Sequence, residues 1–176
     1  MRAGTTVLLL SLFTVDFIAQ PPVLAPYSPT PMDVVDRMLS FAKVGPRDVV
    51  YDLGCGDGRI VIEAARKFGA RGIGIDIDPA LIARARDNAR QAGVESLVTF
   101  RVQDAMTVDV SDATVVTLYL LAASNVKVRP VLTKTLRPGA RIVAHNYPIG
   151  DWEPDVVDTF TDAAGTTRTL FLWNIR

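Results

Sequence analysis

Thiols and imidazoles are nearly absent from this sequence: Cys55 is its one cysteine and His145 its one histidine among 176 residues. A single cysteine excludes an intramolecular disulfide and a cysteine-based metal cluster. A zinc site would have to lean on carboxylates, which is unusual, so no metal is expected. Hydrolysis by a Ser-His-Asp triad would rest on His145 alone. A surplus of either charge is also missing, since Lys+Arg and Asp+Glu both number 19. A nucleic-acid binder shows a basic excess, and a nucleic-acid partner is not expected here. Nor is there an apolar run of the roughly 20 residues that a membrane-spanning helix needs. The longest, Val7 to Val15, stops at Asp16. With Met1-Arg2 ahead of it, it reads as the core of a signal or a short anchor, and residues 7–19 offer a route to membrane association. Pro26 directly after Val23-Leu24-Ala25 disfavours cleavage there.

What is present is ordinary for a globular domain: 49% hydrophobic and 22% charged residues. Five prolines between Pro21 and Pro31 mark an extended linker. This divides the chain into a leader and linker, 1–26, and one domain, 27–176, expected as a monomer. Thr30-Pro31-Met32-Asp33 predicts a capped helix start, with Met32, Val35, Met38, Leu39 and Ala42 on one face. Five apolar strands are then expected, at 48–53, 72–76, 97–102, 113–119 and 140–146. Helices are expected at 59–68, 79–92 and 125–136, the last kinked or late-starting at Pro130. Alternating strands and helices mean a parallel sheet covered on both faces. Two further strands, 156–160 and 166–175, flank Asp162-Ala163-Ala164-Gly165 and predict a terminal antiparallel hairpin.

The first strand runs into Asp52-Leu53-Gly54-Cys55-Gly56-Asp57-Gly58. In an open α/β sheet, ligands sit at the carboxyl ends of the strands where the strand order reverses. Glycines there let the backbone turn sharply and approach a ligand. The next helix offers its first amides to a carboxylate, and Asp52 can accept from an ammonium. A dinucleotide fingerprint needs a third glycine where Arg59 stands, or Val61 if counted from Gly56, so the spacing disfavours NAD. No Gly-Lys-Ser/Thr triplet exists for a phosphate loop. Asp76 ends the second strand, where an acid can take both ribose hydroxyls; Ile77 beside it can pack on a base. Asp104 follows the third strand, where its carboxylate and the Ala105 amide can read an adenine edge.

Asp52 to Gly58, Gly74-Ile75-Asp76 and Asp104-Ala105 resemble the three cofactor motifs of class I S-adenosylmethionine-dependent methyltransferases. The resemblance covers Tyr27 to Arg176. It implies a Rossmann-like α/β fold with a seven-stranded sheet, mostly parallel with a C-terminal antiparallel hairpin. It also implies S-adenosylmethionine held by Asp52, Gly54, Cys55, Gly56, Gly58, Asp76, Ile77, Asp104 and Ala105. Pro26 to Pro31, Thr117 to Leu120, Arg137 to Val143, Asp151-Trp152 and Leu170 to Trp173 resemble the small protein-lysine methyltransferases, with mitochondrial and archaeal members. Thr117-Leu118-Tyr119-Leu120 departs from the Asn/Asp-Pro-Pro-Tyr/Phe motif of adenine and glutamine methyltransferases.

A protein lysine is therefore the expected acceptor, and a small molecule such as a lipid, quinone or thiol the alternative; a cofactor-binding module without activity is the third reading. Tyr27, Tyr119 and Trp152 are candidates to line the substrate mouth and hold a cationic side chain against their rings; core packing is the competing role for each. His145 is open to a role as base or as a structural residue. Asn125 could orient substrate but is expected to cap its helix, Cys55 to fill space, and Arg59 to border the pocket or pair with an acid.

Overall fold

The computed structural model describes residues 23–176; the apolar run from Val7 to Val15, and with it the membrane-association segment 7–19, lies outside them. The elements are α1 (Met32–Phe41), β1 (Val49–Leu53), α2 (Arg59–Phe68), β2 (Arg71–Asp76), α3 (Pro79–Gln91), β3 (Val98–Val102), β4 (Val115–Leu118), α4 (Ala122–Thr135), β5 (Arg141–His145), β6 (Val156–Thr161) and β7 (Thr167–Asn174). They form one seven-stranded sheet ordered β3-β2-β1-β4-β5-β7-β6. The first five strands are parallel, and β7 runs antiparallel to both β5 and β6. The order reverses between β1 and β4, which places a crevice above the end of β1.

β1 is buried along its whole length, as a central strand covered on both faces must be. Alternation of side chains sends Val50, Val115 and Val143 to a core shared with α1, α2 and α3. Tyr51, Val116, Ile142 and Trp173 go to the opposite core, beneath α4. β2 passes closely under α2 because it carries glycines: a Cβ at Gly72 would lie 2.7 Å from the Val61 side chain. Among the described residues no helix is long and apolar enough to cross a membrane.

Four local expectations are corrected. The strand–helix alternation breaks between β3 and β4, where the chain crosses in turns and Val108, Val110 and Ala113 cover the sheet instead of a helix. Thr30 does not cap α1. Pro31 occupies that position, Thr30 is buried, and its carbonyl accepts from Arg59 Nη1 at 2.9 Å. Asp33, in the first turn, accepts at 2.7 Å from the Ala163 amide in the β6–β7 turn, fastening the hairpin to α1. Met32 is exposed, and Val34 takes its expected place in the core. α4 begins at Ala122 and continues through Pro130 without a late start.

Candidate cofactor and acceptor site

The turn after β1 is built for close approach. Gly54, Gly56 and Gly58 have φ of 84°, 54° and 79°, in the left-handed region where a Cβ is strained. Neighbours also press in: a Cβ at Gly54 would stand 2.7 Å from Leu120 and one at Gly56 2.7 Å from the Tyr27 ring. The amides of Gly54 and Cys55 both donate to the Ile75 carbonyl, at 2.8 and 2.9 Å, so the turn hangs from the end of β2. Asp76 completes the suspension: Oδ2 accepts from the Gly56 amide at 2.8 Å and Oδ1 from the Asp78 amide at 3.0 Å. A carboxylate has about four acceptor positions, so capacity remains for a ligand hydroxyl.

Asp52 is 2% exposed and accepts from Thr117 Oγ1, across the β1–β4 pair, at 2.8 Å. Burial pushes its carboxyl up to about 7, against the pull of the Thr117 hydroxyl and with repulsion from Asp76 and Asp57 adding to the rise. Burial likewise pushes the Cys55 thiol up, with Asp52 and Asp76 reinforcing the effect. That thiol is buried and fills space against Gly74, where a Cβ would lie 2.8 Å from Sγ. Half-buried Asp57 works against desolvation, but the fork of Arg59 donates to both its oxygens, at 2.9 and 2.7 Å, and holds it below the usual carboxylate range. Asp104 spends Oδ1 on the Met106 amide at 2.8 Å, shaping the turn that carries Ala105.

These residues converge on one pocket. Asp52, Asp76 and Asp104 line it from the tips of three strands, together with Gly54, Cys55, Gly56, Ile77 and Ala105. Gly58 stands just behind, as the residue preceding α2, with its amide on the Cys55 carbonyl at 2.9 Å. Five aspartates line the pocket against one arginine, an acceptor-rich lining suited to a cationic ligand. The apolar wall is a strap, residues 23–30, crossing the open edge of the crevice. Ser124 Oγ donates to the Leu24 carbonyl at one end, and Arg59 grips Thr30 at the other.

Of the three mouth aromatics, Tyr27 and Tyr119 line this pocket. Trp152 does not. Its carbonyl accepts from Trp173 Nε1 at 3.0 Å, its ring leans on Trp173, and the Arg129 guanidinium covers it at 5.4 Å. It belongs to the packing under α4, held in a turn that its amide closes on the Ile149 carbonyl at 3.1 Å. Asn125 does not cap α4 either. Leu121 precedes the helix without a side-chain cap, and Asn125 Nδ2 reaches the Tyr147 carbonyl at 2.8 Å. Arg59 both borders the pocket and pairs with an acid. Thr117 and Leu120 stand in the sequence only as members of the Thr117–Leu120 motif, with no site role expected of either. A hydroxyl in the middle of the apolar Val115–Leu118 run was the signal for Thr117; Leu120 gave none.

A family model described as the ANTKMT methyltransferase domain matches residues 52–156. A protein-lysine N-methyltransferase of Saccharolobus islandicus is 42% identical over 151 residues, covering 85% of this chain and 93% of that protein. The adenine nucleotide translocase lysine N-methyltransferase of Mus musculus is 33% identical over 133 residues, covering 75% of this chain and 57% of the mouse protein, which is thus considerably longer. Among solved structures, an RNA methyltransferase from Salinibacter ruber crystallised with S-adenosyl-L-homocysteine is 54% identical. It superposes with a TM-score of 0.78 and covers 84% of this chain and 94% of its own.

Proposed function

The chain belongs to the ANTKMT methyltransferase domain family, and from that premise we propose that it methylates the side-chain amine of protein lysines. It is an S-adenosylmethionine-dependent methyltransferase. The observation that carries the cofactor assignment is the convergence of Asp52, Asp76 and Asp104 on a cradle whose glycines admit no Cβ. In this reading Asp52 holds the amino acid end of the cofactor, Asp76 its ribose, and Asp104 with Ala105 its adenine, while Ile77 packs on the base. When bound, the sulfonium supplies an activated methyl group.

The rest of the chemistry falls to the chain. A lysine ammonium, with a reference pKa of about 10.4, has no lone pair and must lose a proton before it can attack. Residues 23–30 bring Leu24, Ala25 and Pro26 to the mouth, and an apolar surround disfavours the charged amine. Tyr27 and Tyr119 offer ring faces to the same group. Fixing the amine in line with the methyl supplies much of the rate, because the reaction then needs no bimolecular encounter. The Saccharolobus and mouse relatives, both lysine methyltransferases by description, support this acceptor. The description of the Salinibacter neighbour favours RNA as the second reading, against which stands the acidic lining of the pocket. We also read residues 7–19 as a membrane tether, since the apolar run from Val7 to Val15 follows Met1-Arg2 and is too short to span a bilayer.

Tritiated cofactor and a bacterial lysate separate these acceptors. Label in protein that yields methyl-lysine on hydrolysis is the expected result. Label confined to RNA, or to an organic extract, would replace lysine with RNA or with a small molecule.

A further inference from the structure

His145 is completely buried, yet neither ring nitrogen meets a hydrogen-bond partner among the described residues. A buried polar atom left unpaired is costly, so the nitrogens do not explain why the ring sits there. What the imidazole does touch is Tyr119: the two rings stack with centroids 4.0 Å apart and planes 29° apart. The stack follows from the register. Leu118 pairs with Ala144 on adjacent parallel strands, so the next residues, Tyr119 and His145, stand side by side just beyond the tip of β4. Alternation puts them on the face that also carries Asp52 and Thr117. Tyr119 lines the cofactor pocket, and His145 lies behind it, with Leu170 of β7 opposite.

We propose that His145 is a positioning residue for methyl transfer, a flat platform that fixes the Tyr119 ring at the acceptor mouth. The inference rests on the reading of Tyr119 as part of that mouth. A ring held on one face by a neighbour keeps its other face at a fixed angle to the pocket, and methyl transfer is sensitive to misplacement of the order of an ångström. The platform is also uncharged. Desolvation and the nearby Arg168 drive the imidazole down to about 4, and Asp162 only partly counters them. A neutral ring leaves the acidic pocket as the dominant field on an incoming ammonium, whereas an imidazolium behind Tyr119 would repel it.

The test compares His145→Phe, which keeps a flat ring, with His145→Leu, which fills the space without one. The readout is the rate of S-adenosylhomocysteine formation at saturating cofactor with a desalted bacterial lysate as acceptor pool, alongside cofactor affinity by calorimetry. His145→Phe should stay within about threefold of the parent rate. His145→Leu should fall tenfold or more, with cofactor affinity changed less than twofold. Added to Tyr119→Leu, His145→Leu should cost nothing further, because its effect passes through that ring. A parent-like rate for His145→Leu overturns the proposal. So does an equal loss in His145→Phe, which would point to the nitrogens, or a parallel loss of rate and cofactor affinity, which would indicate a merely structural role. Because the product is counted whatever the acceptor, methyl-lysine missing from the hydrolysed protein would sink the lysine reading alone and leave the His145 comparison standing.

Discussion

At the scale of single residues, Asp52 is the group whose chemistry should be visible in solution. Its carboxyl, pushed up to about 7 by burial and by the nearby acids, is largely protonated at pH 6 when nothing cationic is beside it. An ammonium brought next to it favours the carboxylate. Cofactor binding at pH 6 should therefore release roughly one proton, and at pH 9 almost none. Calorimetry in buffers of different ionisation enthalpy measures this, and Asp52→Asn should abolish the release; the same release in that variant would place the proton elsewhere. The same group shapes stability. A carboxyl raised in the folded state contributes stability below about pH 4 that is lost as pH rises towards 7. His145 acts in the opposite sense. Lowered to about 4, it contributes stability above pH 6.5 that is lost as pH falls. The two nearly share a window and oppose each other across it. Asp52→Asn should therefore unmask a thermal midpoint that climbs between pH 4 and 6.5, where the parent profile is flatter. An unchanged slope in the variant would mean that Asp52 ionises normally.

Among the elements, those whose residues serve their own segment were legible in the sequence. α2 and α3 begin at the expected residues, and the strands fall within one or two positions, because each carries its periodicity and punctuation locally. The failures are residues whose partners are distant in the chain. Thr30 and Asp33 read as a cap for α1, but one meets Arg59 and the other Ala163. Asn125 read as a cap for α4, but it is spent on Tyr147. Trp152 read as a mouth residue because it is aromatic and stands in the Asp151-Trp152 motif of the resemblance, and only the fold shows Trp173 claiming it. The glycine turn was legible because its constraint is backbone conformation, yet its contact with Tyr27 was not. That contact makes a two-element prediction. At Gly56, φ of 54° costs a residue with a side chain about 1–2 kcal/mol, and a methyl group would also strike the Tyr27 ring. Gly56→Ala should weaken cofactor binding tenfold or more, and adding Tyr27→Ala should recover part of the loss by removing the clash. If the double variant binds no better than Gly56→Ala, backbone strain alone is responsible.

For the molecule as a whole, the sheet separates two cores, and residues 23–30 are where the chain passes from one to the other at the carboxyl edge. Leu24 and Ala25 pack on the core beneath α4, whereas Thr30 is buried where α1 begins against the other. The crevice between them is thus walled by a segment that read, from its prolines, as a linker lying outside the domain up to residue 26. Prolines fix an extended path, and here that path bridges Ser124 and Arg59 over the pocket that Asp52, Asp76 and Asp104 line. A chain beginning at Val23 should bind S-adenosylmethionine as the full chain does. One beginning at Pro31 should stay folded, since the sheet and both cores remain, but bind at least tenfold more weakly. Equilibrium dialysis with labelled cofactor compares them, and circular dichroism reports the fold. Equal affinity for the two shortened chains would mean that the strap contributes nothing to holding the cofactor and serves only the acceptor side, in which case the shorter chain should bind normally while turning over more slowly.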